Sequence, residues 1–228
     1  MAGTAKDLDR TWLQEVRGLI AAKVGDDELV EQRYRELVAT ATALFLKRGF
    51  HGVTVPEIAQ AMGLSVGGLY RYITQKEDIL LVILSSILWQ FRAEVEPTLS
   101  QCSGPEEKLR QSIAAYYRNI ARNTDGALLA YRDSYVLQGR ARALLQQLEL
   151  RTNQIFVDII EEGITTGVFR PYPANLVAYN IVMLAHAWAL KRWYWPAYMS
   201  IEDYITTQTA FILQALRPPE NSPDGHPA

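Results

Sequence analysis

Apolar residues recur at helical spacing along most of the chain, and no run alternates apolar with polar residues as a half-buried strand does. Leu13, Val16, Ile20 and Val24 form a short stripe ahead of the turn-like Gly25-Asp26-Asp27, so residues 1–28 read as a partly helical arm. Val30, Tyr34, Leu37, Ala41, Leu44 and Phe45 make a longer stripe that runs to Gly49, a C-terminal stop. Beyond it the spacing predicts two short helices, then a third that carries Ile79, Leu80, Ile83, Leu84, Ile87 and Phe91 towards Pro97. Further helices are expected at 105–122, 125–138, 140–165, 174–195 and 201–216, with Gly163, Gly167, Pro171 and Pro173 breaking the chain before the last pair. The proline-rich tail, 217–228, reads as disordered.

Three start signals punctuate the first third. Thr54-Val55-Pro56-Glu57 is a capping box with proline in the first turn, where its missing N–H is harmless. Ser65 is a natural N-cap for a helix from 66 to about 72, and Thr74-Gln75-Lys76-Glu77 repeats the capping pattern. Two short helices joined by Gly63-Leu64-Ser65 have the length and turn chemistry of a helix-turn-helix. Gly67 and Gly68 then fall in the first turn of the reading helix, at a cost of about 1 kcal/mol each relative to alanine. They let the backbone come close to DNA. Lys76 sits where a helix dipole disfavours a cation unless a phosphate lies outside, and Tyr70 and Tyr72 point apart, so at least one hydroxyl should reach solvent or phosphate.

Composition narrows the choice of chemistry. The chain has 228 residues, 49% apolar and 21% charged, enough for a sizeable core. Its formal charge is −2, which offers no global footprint for nucleic acid. Across 29–80, Lys and Arg at 33, 35, 47, 48, 71 and 76 barely exceed Asp and Glu at 31, 36, 57, 77 and 78. One cysteine, Cys102, excludes an internal disulfide framework, and His51, His186 and His226 lack zinc spacing, so no metal and no cofactor is expected. The N-terminus lacks a signal-peptide core, and the most apolar run, Ile79 to Trp89, is too short to span a bilayer, so the expectation is a cytoplasmic protein without membrane contact.

Thr54-Val55-Pro56-Glu57-Ile58-Ala59, then Gly63 through Ile73, then Lys76-Glu77-Asp78-Ile79-Leu80, resembles the TetR family of transcriptional regulators continuously over 29–80. Glu162-Gly163 and Gly167-Val168-Phe169-Arg170-Pro171 also resemble that family's linker before its last two helices. The resemblance implies an all-α fold: a helix-turn-helix DNA-binding head at 29–75 and a larger helical ligand-binding and dimerisation body at 76–216. It implies that Thr54, Tyr70, Tyr72 and Lys76 hold phosphates of a double-stranded DNA operator. It places Ser65, Val66, Gly67, Gly68 and Arg71 at the reading helix, with Val66, Gly68 and Arg71 nearest the base edges. Where the family often has Thr or Ser, Gly68 offers no side chain, so base reading rests on Arg71 and Val66. Arg10, Arg17 and Lys23 of the arm are available for further DNA contacts.

A single reading helix gives little specificity; a homodimer placing two of them about 34–36 Å apart on a palindromic operator gives more. The helix at 174–195 is apolar nearly all round and, with Tyr204, Ile205, Phe211, Ile212 and Leu216, offers the dimer surface. Tyr116, Tyr117, Tyr131, Tyr135, Phe156, Trp188 and Trp193 supply aromatic walls for an effector pocket, with Asn119, Arg132 and His186 as polar anchors. Trp188 to Trp195 resembles family members that sense acyl-CoA thioesters, with Lys191 and Arg192 available for phosphates, although a planar aromatic effector suits the same residues. A repressor released from DNA by a small, largely apolar effector is the expected function. Rival readings are an all-helical enzyme, for which the sequence holds no metal motif, phosphate loop or activated nucleophile, and a protein-interaction module without DNA binding. Asp158, Glu161 and Glu162 read as a solvated face.

Overall fold

A computed structural model describes residues 27–219. The expectations for the N-terminal arm, including Arg10, Arg17 and Lys23, and for the tail beyond Pro219 lie outside the described residues. Within them the chain is helical with no strand: α1 Asp27–Arg48, α2 Val55–Ala61, α3 Val66–Leu69, α4 Lys76–Leu99, α5 Pro105–Arg122, α6 Thr124–Asp133, α7 Gly139–Thr165, α8 Ala174–Leu190 and α9 Ile201–Leu216, with 3-10 turns at Ser134–Val136 and Trp195–Ala197.

Two cores form, and α4 runs through both. Tyr34, Leu37, Ala41 and Phe45 of α1 close on Ile58, Leu69 and Ile73, and the first half of α4 adds Ile79 to Leu84. Leu129 of α6 and Leu145 of α7 reach this same cluster, so the head is packed against the body rather than tethered to it. The second core centres on Phe91, Tyr116 and Phe156, with Phe91 and Phe156 stacked at 5.8 Å. Covering it are Val177, Ala178 and Ile181 of α8 and Tyr204, Ile212 and Leu216 of α9.

Several helix ends depart from the pattern, each for a local reason. The reading helix stops at Leu69 rather than 72, because the Tyr34 hydroxyl donates to the Tyr72 carbonyl at 2.9 Å and holds the chain in a turn. At the start of α4 the reciprocal cap is Asp78, not Glu77: its Oδ2 accepts from the N–H groups of Thr74 at 2.7 Å and Gln75 at 2.9 Å. α6 ends at Asp133, whose buried carboxylate is tied to Arg132, and gives way to the 3-10 turn. α8 ends at Leu190 instead of 195. Trp195 folds back so that its indole N–H donates to the Ala187 carbonyl at 3.2 Å, and Pro196 disfavours a helical residue before it. Gly163 has a packing role: a Cβ there would lie 2.0 Å from the Phe169 ring, which seats the loop leading to α8.

Candidate DNA-reading surface and effector cavity

The head presents α2 and α3 with both N-caps formed. Ser65 Oγ accepts from the Gly68 N–H at 3.0 Å, and Thr54 with Glu57 completes a capping box in which Glu57 Oε2 accepts from the Thr54 N–H at 2.7 Å. Arg48 also bonds Glu57 at 2.7 Å, and these hydrogen bonds hold the Glu57 carboxyl down at about 2. Between the helices Gly63 takes φ 66°, a left-handed turn in which a side chain would be strained. The loop geometry thus fixes the angle at which α3 is shown to solvent.

Thr54, Ser65, Val66, Gly67, Tyr70 and Arg71 are exposed, and the Arg71 guanidinium has no hydrogen bond or ion pair within the described residues. Two expected DNA contacts stand differently. Tyr72 is 6% exposed with its ring edge-on to Tyr34 at 6.4 Å, so most of that side chain is head core. Lys76 folds inward: its ammonium bonds the Phe50 carbonyl and lies 4.2 Å from the Phe50 ring centroid, and burial lowers its pKa. Reaching a phosphate requires Lys76 to leave that contact. The paired glycines also divide. Gly67 has open space where a Cβ would stand, whereas a Cβ on Gly68 would sit 3.1 Å from the capping Ser65 Oγ. Gly68 therefore has a local reason, relief of crowding at the cap, besides any approach to DNA.

In the body a cavity of about 590 Å³ opens between α4, α5, α6, α7 and α8. Leu84, Ile87, Ile120, Ala127, Leu145 and Val182 make its walls apolar. His186 is pinned between two tyrosines, with Nε2 3.0 Å from the Tyr116 hydroxyl and Nδ1 2.8 Å from that of Tyr131. Burial pushes His186 down to about 4, so the ring is neutral near pH 7. A neutral ring donates from one nitrogen and accepts at the other. Every group is satisfied when Tyr116 O–H donates to Nε2, Nδ1–H donates to Tyr131, and the Tyr131 proton goes to Met183 Sδ at 3.6 Å. That last bond is weak, so the Tyr131 hydroxyl is open to a better acceptor. No lysine or arginine lines the cavity among the described residues; its ionisable carboxyl, Glu149 at the rim, has its pKa raised by desolvation.

Of the residues expected around an effector, only Tyr116, Tyr131 and His186 line this cavity. Asn119 is fully buried and donates to the Ile87 carbonyl at 2.9 Å, joining α5 to α4. Arg132 points to the head, where it donates to the Phe45 carbonyl at 2.6 Å. Tyr135 is 65% exposed and pairs with His51 at 3.2 Å. Phe156 lies behind Tyr116 in the core, Trp188 packs on Tyr204 at 5.2 Å, and Trp193 is 74% exposed. Arg192 pairs with Asp125 at 2.7 Å, and neither it nor Lys191 lines the cavity. Glu162, read as solvated, is held by Lys108 at 2.7 Å.

The wall that sequence reasoning missed is α7, which contributes Gln146, Glu149, Thr152 and Asn153. A signal was present: Thr152 interrupts the apolar stripe Leu145, Leu148, Phe156, Ile159 with a hydroxyl that ends up 2% exposed.

A capped helix-turn-helix packed on an all-helical body with an apolar cavity defines a ligand-responsive class of DNA-binding regulator. Family models agree at both ends of the chain: residues 37–83 match bacterial regulatory proteins of the tetR family, and residues 102–216 match the tetracyclin repressor-like C-terminal domain. The chain belongs to the TetR family of transcriptional regulators and is not an enzyme. It is 32% identical to the HTH-type transcriptional regulator HbdR of Aromatoleum sp. (strain CIB), over 82% of this chain and 81% of that protein. The TetR family regulator PfmR from Thermus thermophilus superposes with a TM-score of 0.69 at 26% identity, covering 80% of this chain and 99% of that one. AibR, crystallised with isovaleryl coenzyme A and operator DNA, shares the fold with a TM-score of 0.67 at 22% identity, over 78% of this chain and 97% of its own.

Proposed function

We propose that the protein is a homodimeric repressor released from its operator by a coenzyme A thioester whose acyl group enters the cavity. The observation that carries this reading is the lining: apolar walls, a neutral His186 held by two tyrosines, and no cation among the described lining residues. A free fatty acid would bring a carboxylate into that cavity with no partner, at a large desolvation cost. A thioester replaces the carboxylate with a neutral carbonyl, and the Tyr131 hydroxyl, held only weakly by Met183, can donate to it. The phosphates stay in water beyond the rim. AibR, with the same fold, binds isovaleryl coenzyme A.

Release needs a route from cavity to head, and α6 supplies one. Tyr131 meets His186 in the cavity, while its neighbour Arg132 bonds the Phe45 and Leu46 carbonyls in the last turn of α1. An effector that moves α6 therefore displaces the C-terminal end of the first head helix. On the far side, Leu176, Tyr179 and Met183 of α8 and Phe211 of α9 are exposed at 53%, 59%, 37% and 65%, an apolar face suited to a second copy. Tyr179 and Met183 also line the cavity, so a partner laid there closes part of its rim. In the head, Arg71 and Val66 read bases, and Thr54, Tyr70 and a swung-out Lys76 hold phosphates.

The test begins with a footprint on the DNA upstream of the protein's own coding region, followed by anisotropy on the protected site. Octanoyl-CoA should release the DNA, and octanoate at the same concentration should not. Release by both alike, or by neither octanoyl-CoA nor benzoyl-CoA, would sink the thioester reading.

A further inference from the structure

The cavity mouth holds a carboxylate that no other part of the chain engages. Glu149 of α7 lines the cavity and is exposed at its rim. The surrounding walls desolvate it and raise its pKa, and among the described residues no hydrogen bond or basic side chain holds that pKa down. Two other carboxylates of α7 are partnered: Asp158 accepts from Gln154 at 2.7 Å, and Glu162 pairs with Lys108 at 2.7 Å. The Glu149 charge also reaches inward. Burial first, then a neighbouring tyrosine, then Glu149 raise the pKa values of Tyr116 and Tyr131. Tyr116 is buried, Tyr131 half exposed and Glu149 exposed, so the carboxylate lies towards the mouth from the Tyr116–His186–Tyr131 chain and within electrostatic reach of it.

An ionised carboxylate only accepts hydrogen bonds, and one that is partly desolvated gains most from a donor the ligand brings with it. In a coenzyme A thioester the first donor beyond the sulfur is the amide N–H of the pantetheine arm, one ethylene link away. We propose that Glu149 accepts a hydrogen bond from this first pantetheine amide, so that the cavity reads the arm of the thioester as well as its acyl group. The inference rests on the thioester reading of the cavity and adds a second recognition point to it. Tyr131 of α6 donates to the carbonyl and Glu149 of α7 accepts from the amide, in the order in which those groups follow each other towards the mouth. A charged acceptor binds an N–H more strongly than a neutral one does. A free fatty acid offers no N–H and meets Glu149 as a like charge.

Calorimetric titration of the full-length protein tests this with two small thioesters. S-Octanoyl-N-acetylcysteamine keeps the first amide of the arm and nothing beyond it; its isostere carries a methylene in place of the N–H. The amide thioester should bind about tenfold or more tightly, although the isostere is the more apolar ligand. Glu149→Leu should erase that preference, and Glu149→Gln, which keeps an acceptor oxygen, should retain part of it. The wild-type comparison stands even if a variant folds poorly. Should the isostere bind equally or more tightly, or the preference survive Glu149→Leu, Glu149 is a solvated rim charge and the inference is overturned. Tighter binding of octylammonium than of the amide thioester would make Glu149 a cation site, with the same result. Failure of octanoyl-CoA to bind would overturn the thioester reading and this inference with it, whereas octanoyl-CoA binding without a preference for the amide overturns this inference alone.

Discussion

The residues proposed to meet DNA come from one short stretch of the head, Thr54 to Lys76, whereas the cavity draws its lining from Leu84 to His186 across α4 to α8. In the head, caps and turn residues adjacent in sequence set the angle of α3, so a local motif carries most of the geometry. In the body, which aromatic side chain faces the cavity depends on how the helices pack on one another. Tyr116 and Phe156 illustrate the point: both are buried and their rings lie 5.7 Å apart, yet only Tyr116 lines the cavity. A surface motif and a cavity in a core thus place different demands on sequence.

Substitutions can pull the two regions apart. Filling the cavity should have the largest effect. Ala130→Phe should lower octanoyl-CoA affinity on the order of 100-fold by displacing buried apolar contact, while operator affinity without effector holds. Equal losses in both would mean that head and cavity are not separable. Next comes acidification. Burial holds His186 at about 4 against 6.5 for a free histidine, so the unfolded chain takes up its proton first. The stability this contributes is complete above pH 6.5 and is lost as pH falls towards 4, by about 3 kcal/mol in all. Urea titrations at pH 7.5 and 5 should show about 2 kcal/mol of that loss in the wild type and a smaller one in His186→Gln.

Smaller effects distinguish roles within each region. Arg71→Ala should cost about 1–3 kcal/mol of discrimination at one symmetric base-pair position, whereas Tyr70→Phe should weaken binding to all operator variants alike. Anisotropy on a panel of single-base variants separates the two patterns. Arg132→Ala should leave effector binding in place but reduce the ratio of operator affinities with and without octanoyl-CoA, out of a coupling of about 1–3 kcal/mol. Smallest of all, Tyr131→Phe should weaken thioester binding by about 1 kcal/mol, with little change for the operator.

Helix existence was legible nearly throughout. Pro105–Arg122 and Ile201–Leu216 fall where periodicity and stop signals put them. Helix ends were less so, because distant groups decide them: the Tyr34 hydroxyl shortens α3 from 38 residues away, and the Trp195 indole reaches back over α8. The cap of α4 moved by a single residue, since Glu77 and Asp78 are both acidic and only the backbone path shows which carboxylate faces the free N–H groups. Of the cavity, aromatic content pointed to Tyr116, Tyr131 and His186, but Trp188 and Trp193, equally aromatic, lie elsewhere. Residue type records what a side chain can do, not where it points.

By itself the sequence determined an all-helical chain with a helix-turn-helix at its head, because caps, turns and apolar spacing act over a few residues and need no distant partner. It also determined the family, through a motif whose residue types and spacings are contiguous. Tertiary structure alone decided that Lys76 folds onto Phe50, and that Arg132 grips the head while Tyr131 lines the cavity. Those outcomes turn on contacts between segments up to 87 residues apart, which follow from how whole helices share a core rather than from any local run of residues.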